Sequence, residues 1–240
     1  MLNSVMEKVF KIRTVHEDIR AFLGMIDELH LDHIHFGCWL NSNDSFVQAQ
    51  ENLYNLVRAQ IPEGVRDILD IGGGVGNVSA RLLRDHFNVI CVVPDPALIR
   101  AGRKRFPEVV FHQGTAEFFN LRQKFNLALL IESYQYFTAP KRALLNIDRH
   151  LNANGYILLA DEFWANDAIK NILLEFCKIK NYHVVQQLEL TKAVIPSCDF
   201  FLDYFRNKGE RYVRRWQHNK EIYLAGEKNY FIYLLQKQNR

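Results

Sequence analysis

The residues best suited to do chemistry lie in "ILDIGGGVGNVSARLL", where an apolar run closes on Asp70, turns through Gly72, Gly73, Gly74 and Gly76, and opens into a helical pattern. Glycine tolerates positive φ and lets a ligand lie against the main chain, while the first turn of a helix offers amide donors without intrahelical partners. Strand, glycine turn and helix start therefore form one cofactor-holding device. Two cofactor classes use such a turn, and spacing separates them. The dinucleotide fingerprint G-x-G-x-x-G needs a third glycine; counted from Gly72 that place holds Asn77, and counted from Gly74 it holds Ser79. Asp70, just before the turn, would repel a pyrophosphate and attract an ammonium group.

Tyr136 and Asp161 close two further apolar runs, at the carboxyl edge where open α/β sheets bind ligands, and are the candidates for acid/base or substrate-orienting work. The alternative is a tyrosine that lines the recess and an aspartate that caps the next helix. Asp32, His33 and His35 lack a third ligand at recognisable spacing, so no metal is expected. Cys38, Cys91, Cys177 and Cys198 are too irregularly spaced for zinc or a disulfide framework and read as reduced structural thiols. The basic run "RNKGERYVRRWQHNK" fits a solvated helix face. Phe200, Phe201, Tyr204 and Phe205 fit either an apolar acceptor pocket or core.

These residues need a scaffold. From Arg66 onward short apolar runs alternate with helical stretches, the signature of βαβ units around a parallel sheet. Strands are expected at "RDILDI", "NVICVV", "VVFHQG", "FNLALLI" and "GYILLAD", and helices at 77–85, 96–105 and 140–151. "LNANGY" predicts a turn in which Asn154 and Gly155 take positive φ. A sixth strand "HVVQQLEL", a long helix over 198–217 and a last strand "NYFIYLLQ" complete the pattern. Residues 1 to about 60 read as helices, through Val5, Val9, Ile12 and Val15 and then Phe46, Leu53, Leu56 and Val57, around a loop "LDHIHFGCWLNSND". The organisation expected is one 240-residue domain: a helical cap over 1–62, a cofactor-binding core over 63–161, and a substrate cap with the last strands over 162–240.

The net charge of +3 is too mild to call for nucleic acid. The amino end lacks the continuous apolar stretch of a signal peptide or membrane span, so a cytoplasmic protein without a membrane partner, monomeric or homodimeric, is expected.

At the glycine turn the sequence resembles class I S-adenosylmethionine-dependent methyltransferases. "HIHFGCWL" is similar to the H-x-G-Y-W loop of methyltransferases acting on small amines, sugars and natural products, glycine and sarcosine N-methyltransferases and sugar O-methyltransferases among them. "IESYQYF" is similar to their E-S-x-x-H-F segment, "LNANGYILLAD" to their L-x-P-G-G-x-L-x-x-x-D, and "LELTKAVIPSCDFFL" to the stretch after strand six. The resemblance implies a Rossmann-like α/β fold with a mostly parallel seven-stranded sheet, helices on both faces and an amino-terminal helical cap. It implies S-adenosylmethionine as cofactor, S-adenosylhomocysteine as product, and a hydroxyl or amine of a small metabolite as acceptor. Asp70 and Gly72 would hold the methionine ammonium; Gly73, Gly74 and Gly76 would let the cofactor lie close. Phe36, Gly37 and Trp39 would close over it, and Ile131 and Glu132 would border the sulfonium.

Three positions depart from the family. Val93 stands where the ribose acid is usual, leaving Asp95 to reach in. Thr115, with Ala116 and Glu117 beside it, stands on the adenine side without a charge. Tyr136 replaces the histidine of E-S-x-x-H-F. These departures keep a second reading open, a cofactor-binding protein without turnover. The glycine spacing argues against a nicotinamide-dependent oxidoreductase, and the lack of a D/N-P-P-Y segment argues against a nucleic-acid amino-methyltransferase.

Overall fold

A computed structural model describes residues 20–33, 35–165 and 168–238. The chain divides into two compact units, 1–34 and 35–240. In the first, helix α1 spans 20–29 and ends at His30, whose φ of 51° turns the chain. The helical run expected through Val5 to Val15 lies outside the described residues.

The second unit opens with the loop Phe36–Asp44 and helix α2 (Phe46–Arg58), whose first turn is capped by the Ser45 hydroxyl, accepting from the Gln48 amide at 3.1 Å. Its buried stripe is Phe46, Ala49, Leu53, Tyr54 and Val57. The alternating core comes next: β1 (Asp67–Ile71), α3 (Asn77–Arg84), β2 (Asn88–Val93), α4 (Pro96–Arg105), β3 (Val110–Gln113), β4 (Phe125–Ile131), a 3-10 turn (Tyr134–Tyr136), α5 (Pro140–His150) and β5 (Leu151–Trp164). Then come α6 (Ala168–Lys180), β6 (Tyr182–Glu189), α7 (Thr191–Val194), α8 (Pro196–Phe205), α9 (Glu210–Leu224) and β7 (Lys228–Lys237).

Among the described residues the strands form one seven-stranded sheet in the order β3-β2-β1-β4-β5-β7-β6. β1 to β5 pair in parallel, and β7 runs antiparallel to both β5 and β6. The central strands are largely apolar because helices cover the sheet; Leu127, Ala128, Leu129 and Leu130 of β4 are at most 1% exposed.

Two local expectations are corrected. "LNANGY" is part of β5: Phe125 pairs with Leu151 and Leu127 with Tyr156, so residues 152–155 form a bulged excursion. Neither Asn154 nor Gly155 takes positive φ. Glycine is required at 155 for space, since a Cβ there would lie 3.0 Å from the Asn152 carbonyl oxygen. The single helix expected over 198–217 is broken into α8 and α9 at Gly209, whose φ is 145°.

Candidate functional site

The chain leaves β1 for β2 and β3 on one side, then crosses to β4 and β5 on the other, so the order reverses between β1 and β4. A crevice opens at such a switch point, at the carboxyl ends of the strands. The segments arriving there are the glycine turn after β1 and Ile131–Tyr136 after β4. They touch: the Ser133 hydroxyl donates to the Ile71 carbonyl at 2.7 Å. Gly72, Gly74 and Gly76 all have positive φ, of 79°, 59° and 85°.

At Gly72, Gly73 and Gly76 the turn has no room for a side chain. A Cβ at Gly72 would lie 2.4 Å from the Ser133 Cβ, one at Gly73 2.4 Å from Asp70 Oδ2, and one at Gly76 2.6 Å from the Phe111 ring. Gly72 and Gly73 remain partly accessible, presenting bare backbone to the crevice. Gly76 begins α3 without a side-chain cap, and the buried Asn77 Oδ1 has no hydrogen-bond partner. Exposed backbone, an uncapped helix start and an orphaned acceptor suit a ligand that combines an ammonium with a carboxylate.

Asp70 lies beneath this turn at 2% exposure, and its Oδ2 accepts from the Ser79 hydroxyl at 2.6 Å. Burial raises its pKa from 3.8 to about 6, against the lowering effect of the Ser79 and Cys91 hydrogen bonds. A carboxyl whose folded pKa is raised stabilises the fold least when ionised, so this contribution is full below about pH 4 and is lost as pH rises through about 6. At about 1.4 kcal/mol per pKa unit the change is on the order of 3 kcal/mol. Asp70→Asn is therefore expected to raise unfolding free energy at pH 8 by about 1–3 kcal/mol, with the gain shrinking below pH 6 and vanishing by about pH 4. Urea unfolding at the two pH values checks this, and an equal effect at both would sink it.

Across the crevice, Glu132 ends β4 with a φ of 49°. Its Oε1 accepts from the Phe36 amide at 2.8 Å and the Tyr230 hydroxyl at 3.0 Å, tying the Phe36–Trp39 loop to β4 and β7. Burial, and then the charges of Asp161 and Glu162, push its carboxyl well above the usual range. The loop is held further by Gly37, whose amide donates to the Ser197 hydroxyl at 2.9 Å, and by Trp39, whose amide donates to the Ala193 carbonyl at 2.8 Å. Phe36 is buried among Phe201, Trp216, Tyr223 and Tyr230, while Trp39 keeps partial exposure.

Asp161 is fully buried and accepts from the amides of Tyr134 at 2.8 Å and Glu162 at 2.8 Å. Burial and then the Glu162 charge raise its pKa to about 7. It braces the 3-10 turn that presents Tyr136. Tyr136 is 46% exposed, as a side chain lining an open recess is; enclosure by protein and the Glu162 charge push its hydroxyl pKa upward. Such a phenol stays protonated at neutral pH, so it can donate a hydrogen bond but is not a base.

On the ribose and adenine side, Val93 is buried and Asp95 caps α4, its Oδ1 accepting from the Ala97 amide at 2.6 Å. Thr115 is exposed, Ala116 is buried, and Glu117 turns its Oε1 to the amides of Thr138 and Ala139 at 2.9 and 3.1 Å. Ile131 is partly accessible beside Glu132. No group of three or more metal-capable side chains occurs among the described residues, and no helix among them is long and apolar enough to cross a membrane.

Cys91 and Tyr230, which hold Asp70 and Glu132, carry no sequence signal for those contacts, which only the fold closes; Ser79 and Ser197, which hold Asp70 and Gly37, lie inside segments already singled out. Ser133 could have been read, since it lies inside "IESYQYF".

Residues 69–159 match the family model described as "Methyltransferase domain". An uncharacterized methyltransferase of Bacillus pumilus is 23% identical over 202 residues, covering 79% of this chain and 89% of its own. One of Mycobacterium bovis is 30% identical over 95 residues, 40% of this chain and 39% of its own. Among solved structures, a geranyl diphosphate C-methyltransferase of Streptomyces coelicolor is similar at a TM-score of 0.72 and 14% identity, covering 92% of this chain and 97% of that one. The [4+2]-cyclase SpnF is similar at a TM-score of 0.72 and 19% identity, over 87% and 89%. At those identities the likeness is one of fold.

Proposed function

We propose, from the premise that residues 69–159 of this chain are a methyltransferase domain, that the protein transfers a methyl group from S-adenosylmethionine to a hydroxyl or amine of a small metabolite. The observation that carries this reading is the glycine turn at the switch point, with no room for a side chain at Gly72, Gly73 or Gly76 and with the Asp70 carboxylate beneath it. S-adenosylmethionine supplies a methyl already activated by the sulfonium charge, so the protein's work is alignment. Orientation alone can supply roughly 7–11 kcal/mol.

In this reading Asp70 and the backbone of Gly72, Gly73, Gly74 and Gly76 hold the methionine ammonium and its surroundings. Phe36, Gly37 and Trp39 form the loop closing the site, and Ile131 and Glu132 border the sulfonium. Tyr136 orients the acceptor, and Asp161 fixes Tyr136. Val93, Ala116 and Thr115 would border the ribose and adenine, with Asp95 and Glu117 acting through the elements they cap. The methyl carbon leaves sulfur as it bonds to the acceptor, yielding S-adenosylhomocysteine. A neutral amine keeps the positive charge, whereas a hydroxyl must release a proton to a carboxylate within reach. Within the second unit the cofactor core over 63–161 and a substrate cap over 162–240 would divide the work.

Calorimetric titration with S-adenosylmethionine and S-adenosylhomocysteine tests the reading. Micromolar binding is expected, and Asp70→Ala should weaken it at least tenfold, about 1.4 kcal/mol. The absence of saturable binding by either ligand would overturn the proposal. The fold also carries other chemistry, as in the cyclase above; binding without methyl transfer across a panel of amines and alcohols would favour a protein that keeps the cofactor site without turnover.

A further inference from the structure

A second recess, about 970 Å³ in volume, runs along α5 and the connection from β3 to β4. Its lining includes Arg122, Lys124, Lys141, Arg142 and Arg149 against one carboxylate, Glu117. The whole chain has a net charge of only +3, so this groove gathers as much positive charge as the molecule has in excess. Glu117 does little to neutralise it. Its Oε1 accepts from the Thr138 amide and hydroxyl and the Ala139 amide at 2.9, 3.1 and 3.1 Å, which also satisfies the start of α5. Lys141 reaches Glu175 at 3.7 Å in an exposed pair that contributes little. Arg122 and Arg149 have no ion-pair partner among the described residues.

The cations form two stations. Lys141 and Arg149 are eight positions apart on α5, about 12 Å along its axis. Lys124 donates to the Arg149 carbonyl, which gathers Arg122, Lys124 and Arg149 at the far end. The lining also has apolar members, Leu121, Leu145 and Ile172, and Leu145 stands four residues from both Lys141 and Arg149 on α5, between the stations on the same helix face. A single phosphate meets only one station. Single-stranded nucleic acid stacks its bases on open aromatic faces; the exposed Phe118 ring already carries the Arg142 guanidinium over one face at 3.9 Å. On an acidic helix, carboxylates seven or eight residues apart lie about 10–12 Å apart, with an apolar side chain midway on the same face. That matches both stations and the Leu145 between them.

We propose that this groove docks an acidic amphipathic helix of a partner protein, its carboxylates paired with Lys141 and Arg142 at one end and with Arg122, Lys124 and Arg149 at the other.

The test is fluorescence anisotropy with a labelled synthetic helical peptide carrying Glu at i and i+8 and Leu at i+4. Controls are a permuted peptide of the same composition and a single-stranded RNA of equal length. The patterned peptide is expected to bind at least tenfold tighter than either control. Arg122→Glu with Arg149→Glu should cost at least tenfold, while Arg103→Glu with Lys104→Glu on α4 should change nothing. Equal binding of the permuted peptide, tighter binding of RNA, or indifference to Arg122→Glu with Arg149→Glu would each overturn it. Urea unfolding of every variant verifies the fold, and Lys141→Glu repeats the test should the double variant unfold.

Discussion

Gly72→Ala is expected to weaken S-adenosylmethionine binding by a hundredfold or more, about 2.7 kcal/mol, while leaving the protein folded. Two costs combine at this position. A φ of 79° places any L side chain in the left-handed region, at roughly 1–2 kcal/mol. The new methyl would also sit 2.4 Å from the Ser133 Cβ, so the turn and the segment after β4 must move apart. Gly64 separates the two: its φ of 82° carries the same backbone cost, yet nothing lies within 4 Å of a Cβ there. Gly64→Ala should therefore lose stability without losing affinity. Adding Ser133→Gly to Gly72→Ala should recover part of the binding, because it removes the overlap but not the strain. Calorimetry on the three variants decides it; wild-type affinity in Gly72→Ala would show that the turn is not the cradle.

The second large effect concerns Glu132, where the identity of the replacement matters more than the loss of the residue. Glu132→Ala removes the acceptor of the Phe36 amide and the Tyr230 hydroxyl. Two enclosed donors left unpaired cost about 1–3 kcal/mol each, a Tm fall on the order of 10 °C for a chain of this size. Glu132→Gly removes the same acceptor but relieves the positive φ, and should be about 1 kcal/mol less harmful. Glu132→Gln keeps a carbonyl oxygen for both donors. Because enclosure already favours the uncharged carboxyl, it should unfold close to the parent. The order expected in thermal unfolding is Gln, then Gly, then Ala. A Gln variant as unstable as Ala would show that the charge, not the acceptor, holds the loop. Methylation assays then separate the roles: a stable Gln variant without turnover would show that Glu132 acts on the reaction beyond holding the loop.

The fold was readable where local pattern and tertiary demand agree. Apolar runs such as "FNLALLI" are buried on both faces, and Pro96 and Pro140 mark helix starts that the structure keeps. Reading failed where a residue had two possible reasons to be there. Gly155 suggested a positive φ, but space is what requires glycine, so the strand continues through a bulge. Gly209 passed as one tolerable glycine in a helix, but its φ of 145° ends the run. The site divides similarly. The glycine turn is local and visible, whereas the clasp on Glu132 joins residues 96 and 98 positions away, beyond any windowed pattern. Asp161 was read as an acid closing its strand, but β5 runs on to Trp164, and its burial, and so its bracing of Tyr134 and Glu162, was not visible.

The place of β7 between β5 and β6 bears on how the protein is made. Among the described residues it comes after every other strand of the sheet, yet β5, from Tyr156 to Trp164, and β6 both pair with it. Translation at about 5–20 residues per second therefore delivers a nascent chain in which β5 has an open edge and β6 has no neighbour, until Lys228–Lys237 leaves the ribosome. Through that interval two unsatisfied strand edges are available to other chains. Yield in a cell should depend on how quickly β7 pairs once it has emerged and on what shields those edges before it arrives.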